Sequence, residues 1–373
     1  MKKLNPDKLK SNIQKIAKYD IDENKVFGSS YLVSQCGKVV YRDNFGYTDE
    51  DAQIPVNDKT IYRLASMTKP ITAIAILILC DRGLINLDDS VSKYFPEFAD
   101  IHIIDESGND LGRPENEMKI CHLLSHSSGF GGCSPLASSK EDKETIDSWV
   151  NYFLRRGLAF DPSTNQTYSA TASFDLLVKI AMKITGENFE TFLKREIFDP
   201  CDMKDTTFMP NDEQWSRMIT MHNNVDGKST KKDMMSGCVF GDFPATHMVG
   251  GAGLISTVDD YYKFTQMLLN CGKTPKGQIV SEEMFKNICT PWVDQSLMGD
   301  RPHAWGLGVR VVTKPDYRLP VGAYGWSGAY GAHFWIDPVN QITAVFMKNS
   351  VIDGGSGNNS ANNFEQAVFD SLE

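Results

Sequence analysis

Between Ile71 and Cys80 only Thr72 is polar, and the run is closed at once by Asp81-Arg82. The apolar stretch is about half the length needed to cross a bilayer, so it reads as a helix buried inside a globular core. A chain of 373 residues, 41% hydrophobic and 23% charged, can supply such a core. At roughly 150 residues per domain the length allows about two to three units, expected here as two lobes. Lys and Arg number 38 against 48 Asp and Glu, a net charge of −10. That charge repels phosphate backbones and anionic lipid over most of the exterior. Neither nucleic acid nor a membrane surface is therefore an expected partner.

The opening Met1-Lys2-Lys3 is followed by Leu4-Asn5-Pro6-Asp7-Lys8 rather than by the apolar stretch of a secretory signal. Cys36, Cys80, Cys121, Cys133, Cys201, Cys238, Cys271 and Cys289 form no Cys-x-x-Cys pair. Free thiols in a reducing, cytoplasmic setting are the expectation.

Around the buried run, periodicity organises the rest. Leu9, Ile13 and Ile16 predict a helix over 7–18, and alternation predicts strands at Ser30–Gln35 and Val39–Phe45 joined by a turn at Cys36-Gly37-Lys38. Ile61-Tyr62-Arg63-Leu64 reads as a strand running into a helix that starts near Ser66 or Met67. From Leu87 to about residue 244, Pro96, Pro114, Pro135, Pro162, Pro200 and Pro210 separate helical patterns at Glu117–Leu124, Asp147–Arg155, Ser173–Ile184 and Asn188–Ile197. Residues 211–247 are polar and read as a long excursion, either a lid or a loose connection. Strand character returns at Gly253-Leu254-Ile255-Ser256, then a helix at Val258–Asn270, strands at Gly306–Val312, Ala332–Ile336 and Thr343–Met347, and a closing helix at Asn362–Leu372. Strands at both chain ends predict an α+β fold, an antiparallel sheet flanked by N- and C-terminal helices with an inserted, mostly helical lobe. The expected division is a sheet domain from 1–90 and 245–373 and a helical domain from 91–244 with a long loop at about 211–244.

The sharpest chemical feature is Ser66-Met67-Thr68-Lys69, placed where a strand feeds the buried helix. Residues three apart on a helix share a face, so a hydroxyl and an amine meet there. Serine is a weak nucleophile until a neighbour takes its proton, and a helix N-terminus favours the negative charge that develops. Alone, the tetrapeptide is a weak signal, equally the pattern of an exposed helical pair.

Its setting is more specific. Arg63-Leu64-Ala65-Ser66-Met67-Thr68-Lys69-Pro70, His122-Leu123-Leu124-Ser125-His126-Ser127-Ser128-Gly129, Tyr168-Ser169-Ala170, Gly250-Gly251-Ala252-Gly253-Leu254 and Trp326-Ser327-Gly328 follow one another in that order. The set resembles the serine β-lactamase and penicillin-binding-protein superfamily in its class C β-lactamase-related branch, and is most similar to the family VIII carboxylesterases. The resemblance covers roughly residues 25–370. It implies a β-lactamase/transpeptidase-like fold, Ser66 as the acylated nucleophile, Lys69 as its general-base partner and Tyr168 as the proton-relaying phenol. It also implies an oxyanion hole from the backbone amides of Ser66 and Ala329, with Trp326, Ser327, Gly328 and Tyr330 beside the substrate. Gly328 would there let a substrate lie close to the backbone.

Lysine and phenol in contact titrate as one unit, so which is the principal base stays open at this stage. Trp326 stands where β-lactamases and DD-peptidases carry the lysine that faces a substrate carboxylate, and an indole suits the apolar part of a neutral ester. Ala170 stands where many relatives have an asparagine, so an amide that would hold Lys69 or the substrate is missing, which disfavours amide-like substrates. The expected activity is a cofactor-free serine hydrolase acting on a small-molecule ester or amide, foremost a carboxylesterase on small neutral esters. A DD-peptidase, D-aminopeptidase or weak class C-like β-lactamase shares the chemistry, and a non-catalytic ligand-binding member shares the fold.

Other motifs point elsewhere less well. His122 and His126 have i,i+4 spacing without the adjoining glutamate of a zinc-hydrolase helix, so no metal is expected. Gly325-Trp326-Ser327-Gly328 ends in Ala329, so a Gly-x-Ser-x-Gly elbow is missing. No phosphate-binding glycine loop is present either.

Overall fold

The computed structural model describes residues 1–49, 51, 53–131, 138–139, 141–226, 228–231, 247–315 and 318–373. Helix α1 (Pro6–Asp22) is capped by Asn5, whose side chain accepts from the Lys8 amide, with Pro6 at its first position. It runs a turn beyond the predicted Lys18. Strands β1 (Gly28–Gln35) and β2 (Lys38–Asp49) form a hairpin whose turn residues Cys36 and Gly37 both have positive φ. The edge strand β3 (Ile54–Pro55) and the short β4 (Tyr62–Arg63) follow. A 3-10 turn, Ala65–Met67, then opens α2 (Thr68–Asp81), in which every residue from Thr68 to Cys80 is buried.

The helical insertion contains α3 (Ile120–Leu124), α4 (Ile146–Arg156), α5 (Ala172–Thr185), α6 (Phe189–Leu193), a π-helical turn at Lys194–Phe198, α7 (Asp199–Cys201) and α8 (Asp212–Ser216). The helix predicted from Glu117 begins only at Ile120, because Lys119 is extended and bridges Ser90. The stretch from 211 was expected as a loop, yet it carries α8 and a hairpin of β5 (His222–Val225) and β6 (Lys228–Lys231). It is tied to the sheet side: Ile219 N bonds Ile61 O at 3.0 Å, Thr220 N bonds Thr48 O at 2.9 Å and His222 N bonds Asn349 O at 3.0 Å. Residues 232–246 of that expected loop lie outside the described residues.

Strand β7 (Ile255–Ser256) pairs with β4, and α9 (Val258–Leu269) begins on a Thr257 cap. A small hairpin, β8 (Lys273–Thr274) with β9 (Gly277–Gln278), and the short helices α10 (Glu282–Phe285) and α11 (Gln295–Met298) lead to the last strands. The strand predicted over Gly306–Val312 is in fact a hairpin of β10 (His303–Trp305) and β11 (Arg310–Val312). The chain reverses between them at Gly308, which has φ +75°. Strands β12 (Tyr324–Ser327), β13 (His333–Asp337) and β14 (Ile342–Lys348) and helix α12 (Asn359–Phe369) complete the chain. Asn358 caps α12 and starts it three residues before the predicted Asn362.

All eight strands of the main sheet are antiparallel, in the order β10-β11-β12-β13-β14-β1-β2-β3. The N-terminal β1 therefore lies beside the C-terminal β14. Alternation splits the sheet's side chains between two cores. Tyr31, Val33, Trp335 and Phe346 pack with Leu9, Ile13 and Phe364 of α1 and α12. Leu32, Phe334, Val345 and Met347 pack with α2, α9 and the helical insertion. The termini meet, with Lys3 N to Glu373 O at 3.1 Å and Glu373 N to Lys3 O at 2.9 Å. All six described cysteines, Cys36, Cys80, Cys121, Cys201, Cys271 and Cys289, are free; Cys133 and Cys238 lie outside the described residues. Among the described residues no helix is long and apolar enough to cross a membrane.

Because α2 is enclosed on all sides, its side chains carry the packing. Ile76→Ala, at a fully buried position, is expected to cost about 2–5 kcal/mol in urea unfolding. Val39→Ala, on an exposed position of β2, is expected to stay within about 0.5 kcal/mol.

Candidate active site

The site begins with the backbone before Ser66. Ala65 has φ +45°, a left-handed conformation that costs a non-glycine residue about 1–2 kcal/mol. The turn leaves Ser66 half-buried while Ala65, Met67, Thr68 and Lys69 are buried. Lys69 is fully enclosed. Its Nζ lies 3.4 Å from Ser66 Oγ, 2.6 Å from Ala170 O and 2.8 Å from Gly251 O. Three oxygens match the three N–H bonds of an ammonium. The asparagine amide missing at position 170 is thus replaced by the main-chain carbonyl of Ala170.

Tyr168 lies on the other side of this ammonium, with Lys69 Nζ 4.8 Å from its ring centre. Its hydroxyl oxygen accepts from the Trp326 indole N–H at 3.2 Å. Trp305, which the sequence reading missed, stacks on Tyr168 at 5.7 Å between centroids and meets Trp326 edge-on at 4.7 Å. Gln166 Oε1 accepts from the Trp305 indole at 3.0 Å and fixes that ring. Nothing in the spacing of Trp305 and Trp326 marks them as neighbours, since a turn, strand β11 and the segment before β12 separate them.

His126, part of the helix-to-loop motif, sits beneath Tyr168 with centroids 4.6 Å apart. Its Nδ1 accepts from the Ser169 amide at 3.1 Å, which places the ring proton on Nε2. Burial and the nearby Lys69 charge push its pKa well below the usual histidine value, so it is neutral. His122 is used differently, its Nδ1 accepting from the Lys119 amide at 3.2 Å. Among the described residues no group of three or more His, Cys, Asp or Glu could hold a metal.

Strand β12 places its motif residues on two faces. Trp326 faces Tyr168, whereas Ser327 Oγ is bonded to His333 Nδ1 at 2.7 Å on the opposite face. His333 Nε2 continues to Glu365 Oε1 at 3.0 Å. Glu365 is buried, which alone would raise its pKa, yet His333, Arg310 and Arg318 hold it down to about 2. The Ser327 side chain is therefore bonded on the sheet's far side. A Cβ on Gly328 would meet Leu64 O at 2.3 Å. This glycine lets the strand end close on the nucleophile's own turn.

On β12, strand β11 pairs with Tyr324 and Gly325, and among the described residues Trp326 and Ser327 have no ladder partner on that side. Ala329 is exposed. Neither its amide nor that of Ser66 is engaged by a backbone carbonyl among the described residues. Tyr330 is buried in a small cluster with Ala65 and Met221 beside the Ser66 turn. The geometry thus brings together Ser66, Lys69, Tyr168 and Trp326, with two available amides on neighbouring turns. It sets the Ser327 side chain apart.

A half-buried hydroxyl beside an enclosed ammonium and a phenol, on a sheet with an inserted helical lobe, defines a serine hydrolase of the β-lactamase and penicillin-binding-protein class. The Beta-lactamase family model matches residues 11–365, and the chain belongs to that family. Protein Rv1367c of Mycobacterium tuberculosis is 27% identical over 353 residues, covering 87% of this chain and 86% of that protein. Esterase EstB of Burkholderia gladioli is 26% identical over 369 residues, covering 90% of this chain and 89% of the esterase. In fold, the structure of EstCE1, a hydrolase with promiscuous acyltransferase activity, superposes with a TM-score of 0.82 at 22% identity, over 98% of this chain and 99% of that one.

One further acid lies behind the site. Asp175, fully buried, accepts from the Trp149 indole at 2.9 Å. Burial pushes its carboxyl up to about 7 against the pull of that bond, the Lys69 charge and the Gly250 and Gly251 amides. A folded pKa above the unfolded one stabilises the fold at low pH and loses that contribution as pH rises through the folded value. Asp175→Asn keeps an oxygen for Trp149. Across about pH 5 to 8 the native protein's Tm is therefore expected to fall relative to that of the variant. Parallel Tm-against-pH curves for the two proteins would contradict the assignment.

Proposed function

We propose that the protein is a carboxylesterase that forms an acyl-enzyme on Ser66 and releases it to water, with small neutral esters as substrates. The observation that carries this reading is the pairing of Lys69, whose three N–H bonds are all matched by oxygens, with Tyr168, whose oxygen accepts from Trp326. Lys69 and Tyr168 act as one acid–base unit that takes the Ser66 proton, with Tyr168, held by the Trp326 N–H, handing it on.

Ser66 Oγ then bonds to the ester carbonyl carbon, and the carbonyl oxygen becomes an oxyanion facing the Ser66 and Ala329 amides. Collapse of this adduct breaks the bond to the alcohol oxygen, which leaves with the proton held by Tyr168. Water repeats the sequence on the acyl-enzyme, giving up its proton to Tyr168, and frees the acid and Ser66. Trp326 supports the choice of ester, since an indole bonded to Tyr168 offers no cation to a substrate carboxylate. Esterase EstB, matched along nearly the whole chain, supports it from outside.

Within this reading the chain divides into a sheet domain, 1–90 with 245–373, and a helical domain, 91–244, whose junction holds Ser66, Tyr168 and Gly251. The free thiols favour a cytoplasmic setting.

Short-chain p-nitrophenyl esters and a chromogenic cephalosporin test the proposal in one buffer. Ester cleavage is expected to vanish in Ser66→Ala and to fall by roughly 10²–10⁴ in Lys69→Ala and in Tyr168→Phe. Loss of one hydrogen bond in Trp326→Phe is expected to lower kcat about tenfold. Ester cleavage that survives in Ser66→Ala, or cephalosporin turnover faster than ester turnover, would overturn the reading.

A further inference from the structure

The two amides that face the reacting carbonyl lie on separate segments, and both segments are fastened to one place, the end of β14 and the loop after it. On the Ser66 side the fastening is Asn349, which is fully buried. Its Oδ1 accepts from Arg63 N at 2.9 Å, and its Nδ2 donates to Arg63 O at 3.0 Å and Lys348 O at 2.8 Å. A side-chain amide thus acts as a strand partner for β4, three residues before Ser66.

On the other side the loop grips the peptide that carries the Ala329 amide. Gly328 O accepts from Gly355 N at 3.0 Å and from Gly331 N at 3.0 Å. A trans peptide is planar, with its C=O and N–H pointing in opposite directions. Tethering the Gly328 carbonyl to the loop therefore aims the Ala329 N–H away from the loop. Ser350 N adds a bond to Tyr330 O at 2.9 Å. A Cβ on Gly354 would lie only 2.0 Å from Ala329 O, so the loop backbone rests directly on this turn.

The loop is anchored by charge. Asp353 pairs with Lys348 Nζ at 3.2 Å, and Lys348 is fully enclosed. The same carboxylate accepts from Asn359 N at 2.9 Å, Ser360 N at 2.9 Å and Ser360 Oγ at 2.6 Å, which ties the loop to the start of α12. Lys348 Nζ also donates to Ser360 Oγ at 2.9 Å, and the buried Asp20 adds a second negative charge toward it.

We propose that Lys348, Asn349 and Asp353 are positioning residues that set the direction and spacing of the Ser66 and Ala329 amides, an inference that rests on Ser66 being the nucleophile. None of the three touches the substrate. Their effect is confined to the step in which the carbonyl oxygen gains charge, so they govern kcat rather than substrate binding.

The test uses the full chain with Asp353→Asn, which removes the charge opposite Lys348, and Gly354→Ala, which pushes on the Ala329 carbonyl without touching the ion pair. Each variant is compared with the native protein in kcat and KM on p-nitrophenyl butyrate, in inhibition by an alkylboronic acid, and in Tm. The boronic acid bonds to a serine oxygen and places one of its own oxygens where the oxyanion forms.

Removing one oxyanion donor outright costs about 10²–10³ in rate, and misdirecting one is expected to cost at least about tenfold in kcat. KM is expected to stay within about twofold, and boronate inhibition to weaken in step with kcat. If Asp353→Asn fails to fold, Gly354→Ala carries the test alone. Ser66-dependent cleavage with native kcat and native boronate affinity in the folded variants overturns this inference and leaves the esterase reading standing. Cleavage that persists in Ser66→Ala overturns both.

Discussion

An ammonium can be carried in a protein interior only where each of its N–H bonds finds an oxygen and the surrounding packing excludes water without leaving it alone. Lys69 meets that demand with oxygens from its own turn and two distant segments: Ser66, Ala170 in the helical insertion and Gly251 on the return to the sheet. The buried α2 delivers the lysine, and the two carbonyls decide where the other segments must stop. Neither lobe can shift against the other without stripping a bond from this charge. The lysine is therefore as much a structural joint between segments as a chemical group.

The contrast between the two faces of β12 extends the same logic. Its near face presents Trp326 to Tyr168, and its far face ties Ser327 to the buried His333 and Glu365 and, through them, to the half-buried Arg310 and Arg318. One strand thus serves chemistry with one set of side chains and anchorage with the other. Period two does this automatically once a strand lies between a site and a core.

Much of this was legible in the sequence where the signal is local. The unbroken apolar run from Ile71 required a buried helix, and the Ser66 to Lys69 spacing required contact between the two side chains, because both depend only on helical geometry. The single strand expected over 306–312 failed because the alternation of apolar residues continues through the tight reversal at Gly308. Helix α12 was placed late because its start is fixed by the Asn358 cap and by Asp353, not by its apolar residues. The face that the Ser327 side chain takes was not legible, because motif position does not reveal it. Trp305, Asn349 and Asp175 were missed for a shared reason: each matters through a partner remote in sequence, and nothing local marks it.

The pairing of β1 with β14, from Ser29 opposite Lys348 to Gln35 opposite Ile342, has a consequence for how the molecule comes into being. A ribosome delivers the first strand almost the whole length of the chain before its neighbour emerges, and non-local pairing of this kind is slow to form. Until then, β1 has only its hairpin partner β2, and the segment bearing Ser66 waits for Asn349 to hold the strand ahead of it. A chain that stops before β14 thus lacks both the strand beside β1 and the Asn349 amide that holds the segment ahead of Ser66. With the two termini already bonded to each other, the break in the chain could be moved to an exposed turn elsewhere, which would change that order of assembly while keeping the same folded shape.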